Sequence, residues 1–177
     1  MKKIFAILAL AISGTAFAAD YVSVDVDSVR GLDGASNSTA QTVRIGKGFG
    51  DYQLGFQSRL AKFDGGGAST SVEITGAKNS LKVAGVTPFV GFGHDNLAGY
   101  NYGLVGATYG RSIGPGFAVL GVKTRVGSTE ANMTNQTVAF GTYSIPVAKG
   151  VAVNLNASKS YQDIKENAIG LGLAFNF

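Results

Sequence analysis

Asp25-Val26-Asp27 sets two carboxylates two residues apart, and His94-Asp95 sets the only histidine of the chain beside an acid. A carboxylate pair can divide general-acid and general-base work, and an imidazole oriented by a carboxylate can take a proton from a nucleophile. Neither grouping completes a catalytic set here. On an extended segment residues 25 and 27 share a face, whereas the adjacent residues 94 and 95 point to opposite faces. The chain has no cysteine, which removes thiol chemistry, and a single histidine leaves no transition-metal ligand set. Gly46-Lys47-Gly48 and Gly91-Phe92-Gly93 have the glycine content of phosphate loops, but no helical pattern follows either. The expectation is a protein that is not an enzyme and carries no cofactor, with His94 a solvated rim residue.

The charges make a different pattern once the apolar residues around them are read as alternating. Val22, Val24 and Val26 share one face of their segment, which turns Asp25 and Asp27 to the other. By the same parity Val43 and Ile45 turn Arg44 away from the apolar face, and Leu54 and Phe56 turn Gln57 and Arg59. Val72 and Ile74 turn Glu73, and Leu120 and Val122 turn Lys123 and Arg125. Asp25, Asp27, Glu73, Arg44, Arg59, Lys123 and Arg125 would then share the interior of a closed sheet. Charges confined there must pair and hydrogen-bond. The expected result is a network that plugs the interior or lines a narrow water-filled passage, with Asp25 and Asp27 facing Arg44 and Arg59 on neighbouring strands.

The elements that would hold these residues are short strands. Glycine supplies 26 of 177 residues and proline 3, a composition hostile to long helices. Alternating segments run from about 20–30, 40–47, 52–63, 69–75, 81–94, 101–111, 117–126, 136–145, 151–161 and 167–177, separated by turn chemistry such as Gly48-Phe49-Gly50-Asp51 and Ser112-Ile113-Gly114-Pro115-Gly116. The count is ten strands, or eight if the weakly alternating 69–80 is loop. Tight connections (48–51, 76–80, 112–116, 146–150) alternate with more polar ones (31–39, 64–68, 95–100, 127–135, 162–166). Tyr100, Tyr102, Tyr109, Tyr143 and Tyr161 fall near strand ends, where aromatic girdles belong; stacking on a ligand is the other use for them.

Both ends of the chain carry signals. Lys2-Lys3, an apolar run from Ile4 to Ile12 and the small-x-small ending at Ala18 read as a secretory leader over residues 1–18, with the mature domain at 19–177. The run is too short for a membrane helix. Loss of that leader removes two lysines and no acids, so the formal charge falls from +4 to +2, too little to imply a nucleic-acid partner. At the other end Ile169, Leu171, Leu173, Phe175 and Phe177 occupy every second position, and the chain ends on an aromatic.

Leader, alternating strands and aromatic terminus together resemble the small outer-membrane β-barrel proteins of Gram-negative bacteria, the OmpA/OmpX-like and porin-like group. The resemblance implies an all-β, single antiparallel up-and-down transmembrane barrel in outer-membrane lipid. It also implies that Ile169, Leu171, Leu173, Phe175 and Phe177 form the C-terminal signal read by the barrel-assembly machinery. The function expected is a structural or small-solute porin-like role; the group also includes barrel enzymes. A soluble periplasmic barrel binding a small ligand is the competing class. It needs an apolar cavity and a polar exterior, the inverse of this charge pattern.

Overall fold

The computed structural model describes residues 21–97, 99–127, 136–162 and 165–177; the expected leader lies outside them. The chain forms ten strands: β1 (Tyr21–Gly31), β2 (Ser38–Phe49), β3 (Tyr52–Phe63), β4 (Ala68–Lys78), β5 (Val86–Asp95), β6 (Tyr100–Ile113), β7 (Gly116–Gly127), β8 (Gln136–Ala148), β9 (Val151–Gln162) and β10 (Glu166–Asn176), with one 3-10 turn at Asn79–Leu81. Each pairs antiparallel with its chain neighbours, and β1 pairs with β10 from Tyr21↔Asn176 to Gly31↔Glu166 to close the barrel. Closure leaves no sheet edge, so strand backbone groups are satisfied without water.

The segment with the poorest alternation is a full strand. β4 has 11 residues and pairs with β3 from Tyr52↔Lys78 to Lys62↔Ala68, and with β5 from Ser71↔Asp95 to Ala77↔Phe89. Its serines and threonines hide the alternation, and only Val72 and Ile74 mark the outer face. The eight-strand count is therefore wrong. β8 also outruns its expected end, passing through Pro146 with a register shift between Pro146 and Ala148. A bulge there accommodates the missing proline N–H. At one end of the barrel the connections include the two-residue turns 50–51, 114–115 and 149–150. Gly114 and Gly150 have φ of 54° and 70°, the left-handed conformation such turns require. The opposite, loop end is tied by Leu32 N donating to Lys165 O (2.9 Å) and Asp64 N to Asn37 O (3.0 Å).

The polarity is inside out. Ile169 is 74% exposed, and Val26, Leu54, Phe92, Val105, Leu120 and Leu171 are exposed on the outer face, while Asp25 (0%) and Glu73 (3%) are buried within. Apolar residues do lie inside on one wall, where Val29, Ala40, Ala61 and Ala168 form a small buried cluster toward the loop end. An apolar exterior running round the whole barrel far exceeds the isolated patches of water-soluble proteins.

Leu171→Arg, on the outer face in mid-strand, should destabilise the bilayer-inserted barrel by about 2–4 kcal/mol, and Asn167→Arg, near the loop end of the same face, by about 0–1 kcal/mol. Urea unfolding in lipid vesicles measures both; equal costs would mean that the face does not meet a hydrocarbon core.

Candidate functional site: the charged interior

Two buried carboxylates organise the interior, each facing a glycine of the next strand in register. Asp25 on β1 faces Gly172 of β10, and a Cβ at Gly172 would overlap its Oδ1. Because β10 has no side chain there, β9 reaches across it. Asn156 donates from Nδ2 to Asp25 Oδ1 at 2.7 Å, and Asn154 reaches the same oxygen at 3.4 Å. On the other side Ser23 donates to Asp25 Oδ2 at 3.0 Å, and Arg44 of β2 forms an ion pair with that oxygen. Arg44 continues the chain of bonds from Nε to Gln57 Oε1 on β3 (3.1 Å). Thr142 and Ser144 of β8 donate to Asn156 and Asn154, each at 2.8 Å.

Glu73 on β4 repeats the device. It faces Gly93 of β5, which in turn faces Tyr102 of β6. The Tyr102 ring occupies the space a Gly93 side chain would need, with Cζ 2.5 Å from an ideal Cβ. Tyr102 donates its hydroxyl to Glu73 Oε1 at 3.0 Å, Lys123 of β7 pairs with Oε2, and Arg125 of β7 donates from Nε to Oε1 at 2.9 Å. Arg125 also stacks over the Tyr102 ring at 5.2 Å and donates to Gln136 Oε1 on β8 at 2.7 Å. Multiple charge-assisted bonds to one carboxylate offset the cost of burying it. Gln57 and Glu73 are register partners, so the two clusters abut. At the level of the two carboxylates, every strand except β5 and β10 contributes a polar side chain.

The seven charged residues singled out by parity all lie on inward positions, but their pairing differs in part from expectation. Asp25 meets Arg44, and Glu73 meets Lys123 and Arg125. Arg59 instead pairs with Glu166 at the start of β10, 3.6 Å away. Asp27 makes no ion pair among the described residues; its carboxylate fills the space over Gly170. The departure is geometric: Arg59 leans toward the loop end, away from Asp27. Tyr102 is also not a girdle residue, being 3% exposed and turned inward. Tyr109 and Tyr161 are exposed on the outer face, and the Tyr143 hydroxyl donates to Ile113 O at 2.8 Å; the Tyr100 side chain lies outside the described residues. His94 is exposed, with Nδ1 3.0 Å from Asn101 Oδ1. Tyr102, Asn154, Asn156 and Gln136 were missed as network members, although Val153 and Leu155 already assign Asn154 and Asn156 to the inner face by alternation; Gln57, turned inward by parity, joins the network through Arg44. At the loop end, outside the strands, Lys165 bonds Asp33 at 2.7 Å, which raises its ammonium pKa.

Ile169, Leu171, Leu173 and Phe177 are exposed and Phe175 half-exposed, on or just beyond β10. Among the described residues no group of three or more histidines, cysteines and acids could hold a metal ion.

No family model matches the sequence, nor does any curated protein. The likeness to solved structures is one of fold. The chain is similar to the beta domain of the Bordetella autotransporter BrkA, with a TM-score of 0.52 and 12% identity over 89% of this chain and 98% of that one. It is similar to the translocator domain of the autotransporter NalP from Neisseria meningitidis (0.50; 11% identity; 99% and 94%), and to the KdgM porin (0.50; 6% identity; 89% and 99%). The chain has the closed antiparallel barrel architecture of these outer-membrane β-barrels.

Gly172→Ala should destabilise the barrel by about 1–3 kcal/mol, since its methyl group must displace the Asp25 carboxylate. Gly103→Ala, where a Cβ meets nothing within 4 Å, should be neutral or stabilising by up to about 1 kcal/mol. Equal costs in urea unfolding would refute the packing role assigned to Gly172.

Glu73→Gln should cost about 3–5 kcal/mol by leaving Lys123 and Arg125 uncompensated. Adding Arg125→Gln should cost less than the two single effects together, a coupling that a double-mutant cycle reads directly. Strict additivity would mean that these groups do not act as a unit.

Proposed function

We propose that this chain is an integral outer-membrane β-barrel whose narrow lumen is braced by the charge network, in a structural or small-solute porin-like role. The observation that carries the reading is the inside-out polarity: an apolar outer face round a sheet without edges, and carboxylates, guanidinium groups and amides packed inside. A soluble small-ligand carrier needs the reverse arrangement, since its exterior meets water and its cavity must receive an apolar ligand. No catalytic role is assigned. His94 bonds Asn101 on the exterior, and the carboxylates of Asp25 and Glu73 are committed to cations, amides and a phenol, which supports bracing over proton transfer.

The charged side chains leave some inward surface open to water. Arg44 is 30% exposed, and Arg59 and Glu166 of the pair nearer the loops are 23% and 27% exposed. That residual space supports a narrow passage in preference to a solid plug.

In this reading residues 1–18 are removed on export, and β10 with its terminal aromatic is the segment that the barrel-assembly machinery recognises. The loop end faces outward and the two-residue turns face the periplasm, as in the porin-like group. The test is cell fractionation with gel mobility measured before and after boiling. The protein should appear in detergent-extracted outer membranes as a heat-modifiable band with an N-terminus at Ala19. Phe177→Asp should reduce that band, because charge replaces the aromatic of the recognised strand. Recovery in the soluble periplasmic extract would overturn the membrane assignment, and normal yield from Phe177→Asp would remove the C-terminal signal from it.

A further inference from the structure

The interior is not electrically symmetric between its wall and its open space. Asp25 has a side-chain exposure of 0%, while its partner Arg44 has 30%. Glu73 has 3%, while Lys123 has 13% and Arg125 has 15%. Asp25 fills the space vacated by Gly172, Glu73 is bonded by the Tyr102 ring that fills the space vacated by Gly93, and in both clusters the acid is less exposed than its cations. Each cluster is therefore a dipole whose positive end points at whatever water the barrel holds. The two clusters also differ in charge count. Two carboxylates, Asp25 and Glu73, face three cations, Arg44, Lys123 and Arg125.

Adding Asp27, Glu166 and Asp95 against Arg59 brings the described inward charges to five acids and four bases, so the asymmetry lies in exposure and not in number. Asp27 is 8% exposed and recessed over Gly170, following the same rule as Asp25. Arg59 and Glu166 are similarly exposed and form a neutral pair nearer the loops. Asp95, also inward by parity at the loop-end rim, accepts bonds from Ser69 Oγ (3.2 Å) and Leu97 N (3.0 Å).

We infer that the passage is anion-selective, admitting small inorganic anions and small carboxylates in preference to cations, with Arg44, Lys123 and Arg125 as the selectivity-determining residues. The inference rests on the narrow passage proposed above and adds its substrate class. A low-dielectric wall focuses the field of charges that line a confined space, and rings of arginine or lysine select anions where rings of acids select cations. The recessed acids hold the cations in position while exposing almost no surface of their own.

The experiment is ion-current recording from the mature barrel in planar bilayers of neutral lipid, first in symmetric potassium chloride and then under a tenfold gradient. The expected reversal potential has the sign of chloride selectivity, with chloride permeating several-fold faster than potassium. Arg44→Gln and Arg125→Gln should each lower that ratio, whereas Glu73→Gln, which removes a recessed acid, should maintain or raise it. The heat-modifiable band identifies which variants are folded, and the wild-type reversal potential decides the sign without them. Potassium selectivity in the wild type would overturn the inference and leave the narrow passage standing. Absence of current from folded wild-type protein would overturn the passage itself, and this inference with it.

Discussion

The structure depends on a carboxylate that is bonded across an empty position. Asp25 belongs to the first strand and its amide donors to the ninth, with the last strand between them. Those donors reach it only because Gly172 contributes no side chain. The backbone ladder between β1 and β10 closes the sheet, and this bridge fixes the interior on both sides of the seam. From Asp25 the bonding runs one way to Arg44 and Gln57 and the other way to Thr142 and Ser144, so the side-chain order on five strands follows from one bare position on a sixth.

Interior and exterior obey opposite rules in this barrel. Outside, the exposed apolar side chains vary freely in size and shape, from Val26 to Phe92. Inside, the groups are specific. Glu73 is matched to a phenol, an ammonium and a guanidinium at once, and Tyr102 must lie flat over Gly93 to take part. Glycines opposite Asp25, Asp27 and Tyr102 make room for buried bulk, whereas Gly103 faces open space and has no such duty.

Alternation reveals most of the architecture because strands of a closed sheet with an apolar outer face and a polar interior must separate the two on a period of two. Parity alone assigned Asp25, Arg44, Glu73, Lys123 and Arg125 to one side of the sheet, and the Ile169–Phe177 stripe to the other. It failed to define β4, where serines and threonines serve on both faces, and the end of β8, where a bulge carries Pro146. Pairing was harder to read than facing. Which acid meets which base depends on strand tilt and on side-chain length along the barrel, and neither is written in a pattern of period two. Arg59 turning to Glu166 instead of Asp27 is the instance. Tyr102 was misplaced for a related reason, since a tyrosine near a strand end fits an aromatic girdle and an inner wall equally well.

The seam bridge also bears on time. Asp25 and Asn156 are 131 residues apart in the chain, and they come within bonding distance only when the first and tenth strands have met. Hairpin formation can proceed without them, so their bonds wait on closure of the seam. Interactions that form after the transition state act almost wholly on the unfolding rate. The buried carboxylate is in that sense a latch: to whatever extent its bonds form after the transition state, they lengthen the life of the closed barrel without hastening its assembly.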